Sequence, residues 1–546
     1  MPTGGGAQQG NHVGAGWYQL AVTVTASDDV PRYRYMRYVR PPTNTVAKQL
    51  NVGPLFPTQP NTRKMRVGID VQTLGKPTPE LLRIVGRDEE IEPILLVQNE
   101  ELEPTEWMSV LGCRRWYLFT FTTVEDAPKF ADASTVGISG YDDGERCMWA
   151  SAHFFSVYAQ LDQAAREAFS DDSGLTLADR HRAAAIACAA ADLGVDVIVT
   201  AAPTAGRDDV ADNDIVLSIS PGQMMPLFGH YLRVTGNHVL ESTKGRLRNG
   251  GTSVQKTVAS SATDLYLAGI YASAPHLAAI RLMSMMGGDL SLVQSIEAIA
   301  VRLSRAARAV DNLLAALSNG SASDMQRTDT AETTAEAFER VLLYLCAAMD
   351  RYARVTQTLF DTSLDPDKQR GSLTSSVELR SVIEKFEPTD TQQLESLGAY
   401  ARVIGQLRNR IHALPLDTQH RLSRSYGSST TVAVTLDGLA EFDPAKTPLD
   451  QEQLDRLGVW KAQSSNPFGA RAYAADIATL TTTLFRETLR FLEEFSHFII
   501  RNKTVASITT AQHPVLGCWA DDPRPMPAAL PEEVLYREML GWADFG

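Results

Sequence analysis

Val195-Asp196-Val197-Ile198-Val199-Thr200 is the stretch on which the fold turns. Five of its six residues are β-branched, a composition that suits a pleated strand. It begins directly after Gly194, which ends a helical pattern over Leu177–Leu193. A polar loop, Ala201–Asn213, leads to a second strand, Ile215–Ile219. Ser220-Pro221 then opens another helix, with Ser as N-cap and Pro at the first helical position. Upstream, a helix is expected over about Ala150–Phe169. Such alternation of helix and strand implies a small α/β unit with a parallel sheet, placed at residues 134–235.

Outward from that unit the pattern changes. Residues 17–131 read as a mixed, strand-rich N-terminal region with strands at Trp17–Thr25, Met65–Val71, Pro93–Val97 and Arg115–Thr123. Residues 1–16 are Gly-rich, lack the pattern of a signal peptide and are expected to be a disordered tail. Residues 252–318 look helical, most clearly over Leu290–Leu317. There Ile296, Ile299, Leu303, Val310, Leu314 and Leu317 fall mostly on one face, with Gly320 as the stop. The Ser/Thr/Asp/Ala-rich residues 319–334 are assigned as a linker. Residues 335–502 form a C-terminal helical bundle with helices at Ala335–Leu364, Thr389–Leu414 and Ala470–Ile500. A strand at Thr430–Leu436 interrupts it as a small β insertion. The Pro-rich residues 503–546 are a tail. The fold class is therefore multidomain α+β.

Composition excludes several classes. The formal net charge of −14 rules out a protein that attracts nucleic acid over its whole surface, so any polyanion site is a local basic patch. Five cysteines, odd in number and never in C-x-x-C spacing, give neither a disulfide framework nor a structural zinc site. They fit a reducing cytoplasm. No run of about 18 apolar residues occurs, so no membrane span is expected. No nucleotide P-loop, Rossmann fingerprint or zinc-protease helix is present, and no cofactor is expected.

The most compact chemistry is Leu407-Arg408-Asn409-Arg410-Ile411-His412. Arg408 and His412 share a helix face, and they follow Leu397, Ala401 and Ile404 on a broad apolar stripe. A guanidinium there would hold a phosphate, and an imidazole would move protons near neutrality. The alternative is structural: Arg408 pairs with a carboxylate and His412 caps carbonyls before Pro415. The turn, on the middle helix of the bundle, resembles the HEPN family, whose Arg-polar-x-His signature marks many metal-independent ribonucleases. That resemblance covers residues 335–502. It implies Arg408, Asn409 and His412 as catalytic residues, Arg410 as an auxiliary RNA contact, and a homodimer in which two motifs form one site. The family usually leaves a wider gap than the three residues found here, and Ala413 stands where one more residue would place the His.

Residues 134–235 resemble the closing half of a PIN-like nuclease domain, with Asp196 and Asp70 as strand carboxylates. Ala201 and Ala202 stand where an active member offers acid, so an inactive scaffold is expected, with no metal site. Asp208, Asp209, Asp212 and Asp214 read as a solvated loop. The Arg/Tyr run from Arg32 to Arg40 suits single-stranded nucleic acid or an edge strand. Lys244–Gly251 is a flexible basic loop, and Ile138–Glu145 is turn chemistry. Cys188 and Cys346 read as core. Two functions stand: an HEPN-like RNA-binding protein or ribonuclease of a stress or phage-defence type, or a non-catalytic dimerisation or adaptor protein.

Overall fold

The computed structural model describes residues 64–501. Within that span residues 79–80, 82–89, 99–103, 123–134, 154–173, 208–215, 236–238, 243–254, 259–261, 323–326, 361–370, 376–378, 381–387, 414, 417, 424–428, 437–441, 443–448 and 463–471 are left out. The readings at Trp17–Thr25, Arg32–Arg40, Lys244–Gly251, the Asp208–Asp214 acids and both tails lie outside the described residues.

The first part of the chain forms β1 (Met65–Asp70), α1 (Val71–Leu74), β2 (Ile91–Val97), α2 (Thr105–Leu111), β3 (Arg115–Phe121), β4 (Thr135–Asp142) and β5 (Glu145–His153). It continues through α3 (Leu177–Asp192), β6 (Val197–Val199), β7 (Leu217–Ile219) and α4 (Pro221–Thr235). These strands make one seven-stranded sheet in the order β5-β4-β3-β2-β1-β6-β7. From β3 across to β7 every pairing is parallel, and β4 and β5 add an antiparallel edge. The chain steps outward from β1 through β2 to β3, then returns to the other side of β1 as β6. Side chains alternate across the sheet: Val197 and Val199 face one core, Ile198 the other. The Ala-rich α3 packs in the cluster on the second face, and α1, α2 and α4 belong to the cluster that includes the first. The N-cap Thr176 of α3 has a complete capping box with Asp179.

Two boundaries move. The sheet draws strands from both sides of the expected break near residue 131, because β4 pairs with β3 along its length. Residues 150–153, expected as helix, are the end of β5. Asp143 and Gly144, at φ 49° and 84°, make the tight turn that brings β5 back along β4. Ile138–Glu145 is thus strand as well as turn.

The second half contains β8 (Val239–Ser242), β9 (Gln255–Val258), α5 (Ala262–Ser273), α6 (Pro275–Met286), α7 (Leu290–Ala322), α8 (Arg327–Phe360) and α9 (Pro388–Ala413). Then come β10 (Thr418–Ser423), β11 (Ser429–Thr435), α10 (Gln451–Arg456), β12 (Val459–Ala462), β13 (Ala472–Asp476) and α11 (Ile477–Arg501). The expected strand near 430 is β11, one of four in an antiparallel sheet ordered β10-β11-β13-β12. Residues 255–258 pair with β8 and residues 472–476 with β11 and β12, so both are strand where helix was expected. The linker also shrinks. α7 runs through Gly320 to Ala322 and α8 begins at Arg327. One glycine costs a helix about 1 kcal/mol, which the apolar seam between these two long helices outweighs.

On α11, Ile477, Leu480, Leu484, Leu492, Phe495 and Ile499 are all buried, as their spacing predicts. One continuous apolar cluster runs from the sheet through α4 to α9 and α11. A buried polar knot fastens it. Asp311 of α7 accepts from Arg233 Nε at 2.6 Å, Arg233 Nη2 at 3.0 Å and Tyr266 Oη at 2.6 Å, and bonds His230 Nδ1 at 3.0 Å. Burial alone would raise the Asp311 carboxyl, but the Arg233 charge and the hydrogen bonds from His230 and Arg233 hold it well below the carboxylate range. Among the described residues no helix is long and apolar enough to cross a membrane.

Candidate functional site

The end of α9 is positioned by its own stripe. Leu394, Leu397, Ala401, Ile404 and Leu407 are buried, which fixes the helix rotation and leaves the last turn at the surface. Arg408 and Arg410 are half-buried, while Asn409, His412 and Ala413 are exposed. Arg408 Nη1 donates to Asn409 Oδ1 at 3.1 Å. Arg408 makes no ion pair among the described residues, so the carboxylate partner of the structural alternative is not found there.

Beneath Arg408 lies the α8 face that carries Cys346 and Asp350. Ser372 Oγ donates to Asp350 Oδ1 and lies 2.7 Å from Thr374 Oγ1. Thr374 bonds the Cys346 thiol. Burial, helped by the Asp350 charge, pushes that thiol up to about 11 against the opposing pull of Arg408 and Thr374. Cys346 is therefore a protonated core residue, as its sequence context suggested, and not a nucleophile. Gly405 lets this segment approach α9, because a Cβ there would sit 2.8 Å from Thr374 Cβ. The whole arrangement offers a guanidinium and an imidazole to solvent on a rigid helix end. It supplies no carboxylate to orient His412 among the described residues.

The sheet offers the second candidate. Ligands of open α/β sheets bind outside the carboxyl ends of the strands where strand order reverses, which here is between β1 and β6. Asp70 ends β1 at that point and is fully buried. Arg182 of α3 grips it with Nη1 at 2.9 Å and Nη2 at 2.7 Å, while its Nε donates to Gln98 at 2.8 Å. Thr73 Oγ1 and Thr200 Oγ1 also donate to Asp70, at 2.8 and 2.7 Å. Ala201 N–H donates to Thr73 Oγ1 at 3.1 Å. Asp196, grouped with Asp70 on the PIN-like reading, stands at the opposite end of the sheet. It precedes β6 and accepts the Arg66 backbone N–H at 2.8 Å. With β1 and β6 in parallel register, the two carboxylates lie about four residues apart along the strands, roughly 13 Å. Among the described residues no three His, Cys, Asp or Glu side chains gather as metal ligands.

Sequence reading identified Asp70 and missed Arg182. Its only signal was a charged residue in the Ala-rich Leu177–Asp192 helix. A polar cleft of about 420 Å³ between α9, α10 and α11 was also unforeseen, with Tyr400, Arg456, Glu487 and Arg490 on its wall. Glu487 there is held by Arg486 Nε at 3.1 Å. Comparison with family models, curated proteins and solved structures gave no match for this chain.

Proposed function

We propose that this protein binds RNA through the exposed end of α9, with Arg408 holding a backbone phosphate. The observation that carries the reading is a contrast among arginines. Arg182 and Arg233 are each neutralised by a buried aspartate, whereas among the described residues Arg408 bonds only the neutral carboxamide of Asn409. Its charge remains available to an anion on a protein that is acidic overall. Arg410, half-buried two positions on, adds a second cation. The seven-stranded sheet serves this reading as a scaffold, since Arg182 occupies the Asp70 carboxylate at the switch point.

A second reading adds metal-independent cleavage, and the exposure of His412 favours it. His412 would take the 2′-hydroxyl proton as that oxygen attacks the adjacent phosphorus. The leaving 5′-oxygen would need a proton from a second group, which the same motif of a partner copy would supply. The turn from Arg408 to His412 resembles the motif of the HEPN family, in which two copies commonly form one site.

The test is binding and cleavage of single-stranded RNA by the full chain and by Arg408→Ala and His412→Ala. Arg408→Ala is expected to weaken binding about tenfold or more. His412→Ala is expected to retain binding and lose any cleavage, with EDTA without effect. Unchanged affinity in Arg408→Ala would overturn the binding reading and leave the adaptor role.

A further inference from the structure

α7 and α8 run antiparallel, and four of their arginines, none used by the site above, stand toward the same stretch of the pair. Arg302 and Arg305 stand one turn apart on α7, and Arg351 and Arg354 one turn apart on α8. Arg351 Nη2 donates to Ser295 Oγ at 2.6 Å, which draws its guanidinium across to α7. Arg302, Arg305 and Arg354 make no ion pair among the described residues. Arg302 Nη1 and Arg354 Nε are moreover buried without an acceptor.

The electrostatics agree with that geometry. Burial, and after it the charges of Arg351, Arg305 and Arg354, lower the Arg302 pKa from its ordinary value. Arg305, Arg351 and Arg354 thus all lie within electrostatic reach of Arg302. Among the described residues Asp350 acts in the other direction on Arg302, and it also accepts a hydrogen bond from Ser372. Crowded like charges and buried donors without acceptors both cost stability. An anion with several acceptor oxygens would offset both at once.

We propose that Arg302, Arg305, Arg351 and Arg354 form a binding site for a phosphoryl group on the α7–α8 face. Its planar, forked donors suit the tetrahedral oxygens of phosphate better than a single carboxylate. Buried N–H groups give the site directionality beyond simple attraction. The phosphoryl group would come from an RNA backbone or from free phosphate, and the site stands whether or not Arg408 contacts RNA.

The experiment compares thermal unfolding of the full chain in sodium chloride and in inorganic phosphate at matched ionic strength. Phosphate is expected to raise the midpoint above chloride, and Arg302→Gln/Arg354→Gln is expected to abolish that difference. Arg305→Gln, at an exposed position, is expected to reduce it with the fold intact, which guards against a double variant that fails to fold. Single-stranded RNA is then titrated at several salt concentrations. If RNA is the source, each lost contact makes the log–log salt dependence shallower by about 0.7. If phosphate stabilises but RNA neither binds nor competes, the ligand is free phosphate, and the Arg408 reading fails while this site holds. An equal rise in chloride and phosphate, or a phosphate response undiminished in both variants, would overturn the proposal.

Discussion

Asp70 and Arg182 are joined by two parallel hydrogen bonds, 2.9 and 2.7 Å, between residues 112 positions apart in the chain. The carboxylate is fully buried and the guanidinium nearly so, with 18% of that side chain exposed. This pair ties α3 to the carboxyl end of β1 and fills the switch point of the sheet.

Removing one partner of such a pair strands a buried charge. Arg182→Ala is expected to destabilise the protein by about 3–5 kcal/mol. Asp70→Asn/Arg182→Ala should cost clearly less than Asp70→Asn and Arg182→Ala summed. Urea unfolding of the three variants checks this, and additive losses would mean that the two side chains are not coupled.

Asp311 anchors the sheet's helix α4 to α5 and α7 through Arg233, His230 and Tyr266. Its folded pKa is depressed, so its contribution is complete above the ordinary carboxylate value of about 3.9. That contribution is lost as pH falls through the lower folded value. Asp311→Asn is expected to cost about 3–5 kcal/mol at pH 7, because Arg233 is left buried and unneutralised. The variant's stability should also fall less steeply than the parent's below pH 4, as followed by circular dichroism against urea.

Asp192, the last residue of α3, has the opposite sign. Burial pushes its carboxyl up to about 6. Its own contribution is therefore most favourable below about pH 4 and is lost as pH rises through about 6, where the native state must hold a desolvated charge. Asp192→Asn is expected to stabilise the protein at pH 7.5, and the gain should vanish near pH 4. A gain that did not change with pH would assign the effect to packing instead.

The elements that sequence reading placed well are those with a local period. β1, β2, β3, β6 and β7 were visible as β-branched or aromatic runs, and α11 as an apolar stripe, because each pattern repeats within a few residues. The end of β5, from Ala150, and β13 were read as helix for the same reason in reverse. Met148-Trp149-Ala150-Ser151-Ala152 and Ala472-Tyr473-Ala474-Ala475 are Ala-rich and favour helix alone, yet each pairs with a neighbouring strand. At the candidate site, the buried stripe and solvent-facing end of α9 were legible from i, i+4 spacing. That Arg408 makes no ion pair among the described residues was not.

By itself the sequence determined which segments are strand or helix where the period is strong, the parallel character of the central sheet, and the placing of Arg408 and His412 on one helical turn. All of these are set by neighbours a few residues away. Only the tertiary structure decided that β4 and β5 extend the same sheet and that Asp70 and Asp196 lie at its opposite ends. It also decided which arginines are neutralised. Arg182 finds Asp70 and Arg233 finds Asp311 across long stretches of chain, while Arg302, Arg305 and Arg354 are brought near one another without an ion-pair partner among the described residues. Charge pairing depends on distance and burial in space, and neither is written in the local period of a chain.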